Sequence, residues 1–245
     1  MKAGHKTIDK SYMHVSLIFY SIIIFMNMPD FIIFETPMEY KPVLYFQRKL
    51  VDLRNNDKID DTFIFLEHND VYTAGVHYRG NDDIIRVERG GYETYHGPGQ
   101  LVVYFIINLR ERKMNALDLI KKIQNSVVNT LKYYNIESYP MLNEKTGVWH
   151  EDRKICSIGI AIRGFSTFHG MALNVNTDLS KFNRIMPCNF SPDIMTSMER
   201  ISGRPFNINS VRERLIQSIE KEFDIKEKNI YKNVDLVGYG NGLLP

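Results

Sequence analysis

The residues whose types and spacing could carry chemistry fall in two places. The first is Arg89-Gly90-Gly91-Tyr92-Glu93-Thr94-Tyr95-His96-Gly97-Pro98-Gly99-Gln100. Its glycines permit left-handed backbone and close approach of a ligand to the main chain, and Arg89 and His96 add charge and hydrogen bonding. That composition reads as a ligand cradle, since a plain connection between strands seldom needs so many special residues. The second is Cys188, in Pro187-Cys188-Asn189-Phe190-Ser191-Pro192, where two prolines stiffen a loop that presents the thiol. By residue type alone Cys188 is either a nucleophile or a small inert hydrophobe. His96 and His169 with Cys156 and Cys188 offer metal-ligating atoms, but without zinc-type spacing. A cysteine-histidine hydrolase would use the same residue types and has no further motif here. The sequence contains no Walker A loop, no dinucleotide fingerprint after a strand, no His-Glu-x-x-His and no Cys-x-x-Cys, which weakens nucleotide-dependent readings.

The elements that must position these residues follow from periodicity. Phe31 to Phe34 is a short apolar strand, and Pro37 and Pro42 open a helix whose Val43, Phe46, Leu50 and Leu53 share one face. Thr62 to Glu67 reads as a strand, turning at His68-Asn69-Asp70 into Val71 to Thr73 as a hairpin in the central sheet, with His68 a turn residue. Ile84 to Val87 leads into the cradle, Tyr92 to Tyr95 is a strand, and the apolar run Leu101 to Ile107 is a strand buried on both faces. Asn115 caps a helix with the stripe Ala116, Ile120, Ile123, Val127, Leu131 and Tyr134, which reads as core. Thr146 to His150, Lys154 to Arg163 and Phe165 to Asn176 form an antiparallel meander, and Leu179 to Phe182 a helical turn. Cys156, two residues from Lys154, shares its strand face by alternation. Ser210 with Glu213 reads as a capping box for a last helix through Val211, Leu215, Ile219 and Phe223.

Four segments carry a family resemblance. Arg89 to Gln100, read as Arg-Gly-Gly-x-x-Thr-Tyr-His-Gly-Pro-Gly-Gln, resembles the signature of lipoyl(octanoyl) transferases. Lys154-Ile155-Cys156-Ser157-Ile158-Gly159 is similar to that family's Lys-Ile-Ala-Ser-Ile-Gly, Phe168 to Asn176 to its His-Gly-Leu-Ala-Leu-Asn strand, and Pro187-Cys188 falls where the family has Pro-Cys-Gly. The segments keep the family's order across about Asp30 to Arg204. Two positions depart from it: Cys156 stands for alanine, and Asn189 for glycine, although asparagine tolerates left-handed angles.

The resemblance implies an α/β (α+β) single domain, a mixed central sheet flanked by helices, similar to the biotin/lipoate protein ligase catalytic domain. It implies an octanoyl transfer from octanoyl-acyl carrier protein to a lysine of lipoyl domains or of the glycine-cleavage H protein, the first step of endogenous lipoate synthesis, without cofactor or ATP. Cys188 would carry the acyl-thioester and Lys154 would move the proton. Arg89, Gly90, Gly91, Tyr92, Glu93, Thr94, Tyr95, His96, Ser157, Ile158, Gly159, Gly170, Met171 and Ala172 would bind substrate. The rival readings are an ATP-dependent lipoate- or biotin-protein ligase with Lys154 at an acyl-adenylate, and a non-catalytic lipoyl-domain-binding protein.

Bulk properties bound the rest. The 245 residues, 44% hydrophobic, suit one α/β domain, and a formal charge of +2 argues against nucleic acid as a partner. Two cysteines make no disulfide framework, so the expected setting is cytoplasmic, with free thiols, a monomer and no stable membrane association. Lysines before the apolar run Val15 to Phe25 resemble a signal peptide's start, but the run is too short to span a bilayer and no small-x-small cleavage site follows. Residues 1–27 are therefore expected to be an extension: an over-long reading frame whose real start is Met26 or Met28, an amphipathic or targeting segment, or a secretion or anchoring signal. Residues 28–225 form the catalytic domain and 226–245 a tail with no assigned function.

Overall fold

The structure, a computed structural model, describes residues 28–80, 84–185 and 192–238. The extension 1–27 and the segment 186–191, with Cys188 and Asn189, lie outside the described residues. Eleven strands and four α-helices are described: β1 Asp30–Ile33, α1 Tyr40–Asn55, β2 Thr62–Leu66, β3 Val71–Ala74, β4 Ile85–Arg86, β5 Glu93–His96, β6 Gln100–Ile106, α2 Ala116–Tyr133, β7 Tyr139–Met141, β8 Gly147–His150, β9 Arg153–Arg163, β10 Ser166–Asn174, α3 Met198–Ser202, α4 Ile208–Phe223 and β11 Asn229–Lys232. Eight strands form one mixed sheet in the order β11-β1-β2-β6-β10-β9-β8-β7, and β4-β3-β5 form a second, small sheet.

The large sheet is covered on both faces, which is why β6 has no polar alternation. Its Leu101, Val103 and Phe105 pack with α2 and α4, through Ile123, Val127, Leu131, Leu215 and Ile219. Its Val102, Tyr104 and Ile106 pack with Val43, Phe46 and Leu50 of α1. Each such aliphatic side chain, fully withdrawn from water, contributes roughly 1.5–3 kcal/mol. Asn115 caps α2 as expected, in a capping box with Asp118.

Three expectations are corrected. The strands β2 and β3 make no hairpin: β3 leaves the central sheet and pairs with β4 and β5. Nor is His68 a turn residue, because it is fully buried, with one ring nitrogen 2.9 Å from Met38 O and the other 2.6 Å from the Tyr104 hydroxyl. The last helix begins at Ile208 under Asn207, whose side chain accepts from Ser210 N, so Ser210 lies inside the first turn. The tail also contributes more than its composition suggested, since β11 adds a parallel edge strand beside β1. No described helix is long and apolar enough to cross a membrane.

At the end of the sheet where β2 begins, Asp61 is buried and takes Arg54 Nε at 2.9 Å, Arg112 Nε at 2.6 Å and Asn108 N at 3.0 Å. Its neighbour Asp60 is raised from 3.8 to about 6, first by burial and then by the charges of Asp61 and Asp30 against the opposing pull of Arg54. The fold thus favours the neutral acid, and Asp60's contribution is full below 3.8 and lost as pH rises through about 6. Asp60→Asn is therefore expected to raise the urea midpoint at neutral pH and to give no gain below about pH 4, read from denaturation curves at both pH values.

Candidate active site

The cradle, β9 and β10 line an open pocket whose empty space, with the solvent at its mouth included, is about 510 Å³. Its floor is laid in cross-strand rows. Tyr104, Gly170 and Gly159 form one row of partners, and Val102, Ala172 and Ser157 the next. Small residues at four of these six places leave the floor low. The cradle closes over it because glycine lets two backbones meet: Gly90 N donates to Ile160 O at 3.2 Å, and a Cβ at Gly159 would sit 3.2 Å from Gly90 O. On the outer side a Cβ at Gly75 would lie 2.5 Å from Gly91 O, a contact that no side chain could share.

Arg89 shapes this loop from within. Its guanidinium, almost wholly buried, donates to Gly90 O at 3.1 Å, Tyr92 O at 3.0 Å, and Thr73 O and Oγ1 at 3.0 Å each. Such bonds repay the desolvation of a buried cation, and they spend donors on the loop itself.

Twelve of the fourteen residues expected to bind substrate line the cavity: Arg89, Gly90, Gly91, Glu93, Thr94, His96, Ser157, Ile158, Gly159, Gly170, Met171 and Ala172. Tyr92 and Tyr95 do not. On β5 the alternation that turns Thr94 and His96 inward turns Tyr95 outward, where its hydroxyl donates to Asp70 Oδ1 at 2.7 Å and its ring meets Phe182. Tyr92 instead packs edge-on to His77. Tyr40, Val102, Tyr104 and His169 also line the cavity. Of these Tyr104 was missed, although it is the one polar tip in the apolar run Leu101 to Ile107. Tyr40 was hidden at the start of a helix read only for its apolar face.

The site's histidines are neutral. Burial first, then neighbouring His68 and Arg89, lower His96 to about 3; burial and Arg89 do the same for His169, and burial takes His68 to about 4. His169 also sits at φ +59° within β10, its N–H donating to Gln47 Oε1 at 2.8 Å. A left-handed non-glycine residue costs on the order of 1–3 kcal/mol and tends to mark a functional site.

Lys154, on β9, is 1% exposed, with Nζ 3.3 Å from Thr146 O and 5.3 Å from the Trp149 ring centroid. Thr196 N donates to Lys154 O at 3.0 Å, which ties the chain re-entering after the Cys188 segment to this strand. On the other side of that segment, Ile185 packs with Tyr95, Phe182 and Met195. Cys156 does not keep the strand alternation expected of it. The pairing steps from Cys156↔Val148 to Lys154↔Trp149, leaving Ile155 as an extra residue, and Ile155 and Cys156 both enter the core. No group of three or more His, Cys, Asp or Glu among the described residues could hold a metal ion.

A family model, the lipoyl protein ligase A/B catalytic domain, matches residues 39–220. The chain belongs to this family. Relatives named octanoyltransferase include one from Vibrio atlanticus, 42% identical over 188 residues, 74% of this chain and 84% of the relative, and one from Klebsiella pneumoniae, 40% identical over 66% and 78%. The fold matches a crystal structure of lipoate-protein ligase A bound with ATP, with TM-score 0.70 at 17% identity over 86% of this chain and 90% of that one. It also matches a bi-partite lipoate protein ligase from Thermoplasma acidophilum, TM-score 0.65 at 16% identity over 86% and 89%. The mixed sheet flanked by helices, expected from sequence, is thus the fold of the lipoyl ligase A/B family.

Burial pushes the Cys156 thiol up to about 12, against smaller lowering effects from a backbone contact at Ala172 and the charge of Lys154. At neutral pH it carries a negligible thiolate fraction. In the native protein Cys156 is expected to resist iodoacetamide and to react only after denaturation, as read by peptide mass spectrometry of both states.

Proposed function

We propose that the chain moves an octanoyl group from octanoyl-acyl carrier protein to a lysine of a lipoyl domain or of the glycine-cleavage H protein, through a thioester on Cys188. The relatives carry the coarser statement: the chain is an octanoyltransferase of lipoate biosynthesis. The observation that supports the finer one is the cavity on which the cradle, Ser157 to Gly159 and Gly170 to Ala172 converge, with Lys154 buried on the same strand that supplies Ser157 to Gly159.

On this reading Lys154 takes the Cys188 proton, and the thiolate attacks the donor's carbonyl carbon. The new C–Sγ bond forms, the donor C–S bond breaks, and the departing thiolate is reprotonated. The octanoyl chain lies in the cavity among Met171, Val102 and the small floor residues, where each methylene removed from water is worth about 0.8 kcal/mol. A lysine amine then attacks the acyl carbon, the C–N bond forms, the C–Sγ bond breaks, and the amine proton passes to Lys154. The activation already held in the donor thioester drives amide formation, so ATP has no part in it.

The experiment is intact mass after mixing with octanoyl-acyl carrier protein and no ATP, for the parent and Cys188→Ser. One octanoyl adduct in the parent and none in the variant is expected. A folded parent that stays unmodified, yet acylates a lipoyl domain when given octanoate and ATP, would sink the proposal in favour of a ligase.

A further inference from the structure

Hydrogen bonds around the cavity fix where two of its polar side chains hold their protons. Gln100 Nε2 donates to Tyr95 O at 3.2 Å and to Asn174 Oδ1 at 2.9 Å, so its Oε1 is the atom 2.7 Å from His96 Nδ1. A carbonyl oxygen only accepts, which puts the imidazole proton on Nδ1. The ring is neutral, so Nε2 is a bare lone pair, in a residue that lines the cavity and whose Nδ1 is already engaged. The same reasoning runs through His68. Its Nδ1 faces Met38 O and carries the proton, so its Nε2 accepts a hydrogen bond from the Tyr104 hydroxyl at 2.6 Å. Tyr104, whose oxygen the Gln47 side chain also approaches, thereby has no proton left to give the cavity. Two walls of one cavity thus present acceptors whose own donors are spent.

Acceptors of this kind call for a donor on the ligand. In the transfer proposed above, the octanoyl chain has none and the thioester carbonyl is itself an acceptor. Of the two groups that attack the acyl carbon, the Cys188 thiol gives its one proton to Lys154, and the lysine amine is the one that arrives with N–H groups. We propose that His96 Nε2 accepts a hydrogen bond from the attacking lysine amine in the second half-reaction and orients its lone pair toward the acyl carbon. This rests on the transferase reading. His96 is an amine-orienting residue and not the base: a ring lowered to about 3 does not keep a proton. When the C–N bond forms and the C–Sγ bond breaks, the proton leaves for Lys154. A continuous set of hydrogen bonds holds the two residues in register, from His96 through Gln100 to Asn174, then Asn174 Nδ2 to Thr196 O at 2.9 Å, then Thr196 N to Lys154 O at 3.0 Å.

The test separates the half-reactions in single turnover: acylation by octanoyl-acyl carrier protein, then deacylation by a lipoyl domain. His96→Leu is expected to slow deacylation at least about tenfold, the scale of one lost hydrogen bond, and acylation by no more than about threefold. His96→Gln, whose side-chain oxygen can accept, is expected to recover most of the loss. Gln100→Glu supplies an independent readout. A carboxylate on Nδ1, working against the charge of Arg89 and beside neutral His68 and His169, raises the imidazole's proton affinity, and a protonated ring shows the cavity a donor. Deacylation by that variant is expected to gain an acid limb, rising with pH, that the parent lacks. Equal slowing of both half-reactions in His96→Leu, or a loss confined to acylation, overturns the inference. If that variant fails to fold, the profile of Gln100→Glu decides, and absence of the acid limb overturns it. A parent that forms no acyl-enzyme overturns the transferase reading and this inference together, whereas a parent that acylates normally leaves only the inference at stake.

Discussion

The site depends on one buried cation solvated by its own loop. The Arg89 guanidinium reaches four acceptors, three of them backbone carbonyls of Thr73, Gly90 and Tyr92, so the cradle is folded around it. That demand sets the glycines. Gly91 stands at φ +90°, any side chain at Gly75 would collide with Gly91 O, and one at Gly159 would crowd Gly90 O. It also sets the protonation of the cavity, because the fixed positive charge adds to burial in holding His96 and His169 neutral. Arg89 is therefore felt by a ligand mainly through the loop shape and the neutral rings it enforces.

Two interruptions of strand alternation do the remaining work, and both lie beside the cavity. On β10, His169 in the left-handed region brings adjacent Phe168 and His169 rings to 4.7 Å between centroids, while Gly170 beyond it occupies the floor. On β9 the extra residue at Ile155 puts Ile155 and Cys156 into the core together and leaves Ser157 and Gly159 on the cavity floor. Irregularities of this kind re-aim side chains without ending the strand, which is their common use next to active sites.

These features explain what could be read from sequence. Leu101 to Ile107 was legible as a doubly covered strand because every residue is apolar apart from one tyrosine, and the structure divides alternate residues between two cores. The α2 stripe and its Asn115 cap were legible because both signals are local. The partner of β3 was not, since a strand of four residues says nothing about which sheet it joins. Nor was β11, which pairs with β1 from the far end of the chain by a contact that no local pattern encodes. In the site, glycine-rich segments announced the cradle, while Tyr40 and His68 come together with it only through tertiary packing: Tyr40 stacks on His96 at 6.0 Å and sits 5.0 Å from His68.

Cys156 shows what a fully buried strand position does to a thiol. Cys156 is two residues from the buried ammonium of Lys154, and that charge does lower its pKa, yet the thiol still ends at about 12. In a fully buried position, desolvation of the thiolate outweighs the attraction of a nearby cation. The cavity's histidines cannot make up the difference, because they are neutral and His96 has committed its one proton to Gln100. A thiol that is to ionise must keep Lys154 within reach and yet avoid the core. The strand carrying Cys156 cannot meet both conditions, because the extra residue at Ile155 turns it into the apolar cluster. The chain described again from residue 192 returns to Lys154 through Met195 and Thr196.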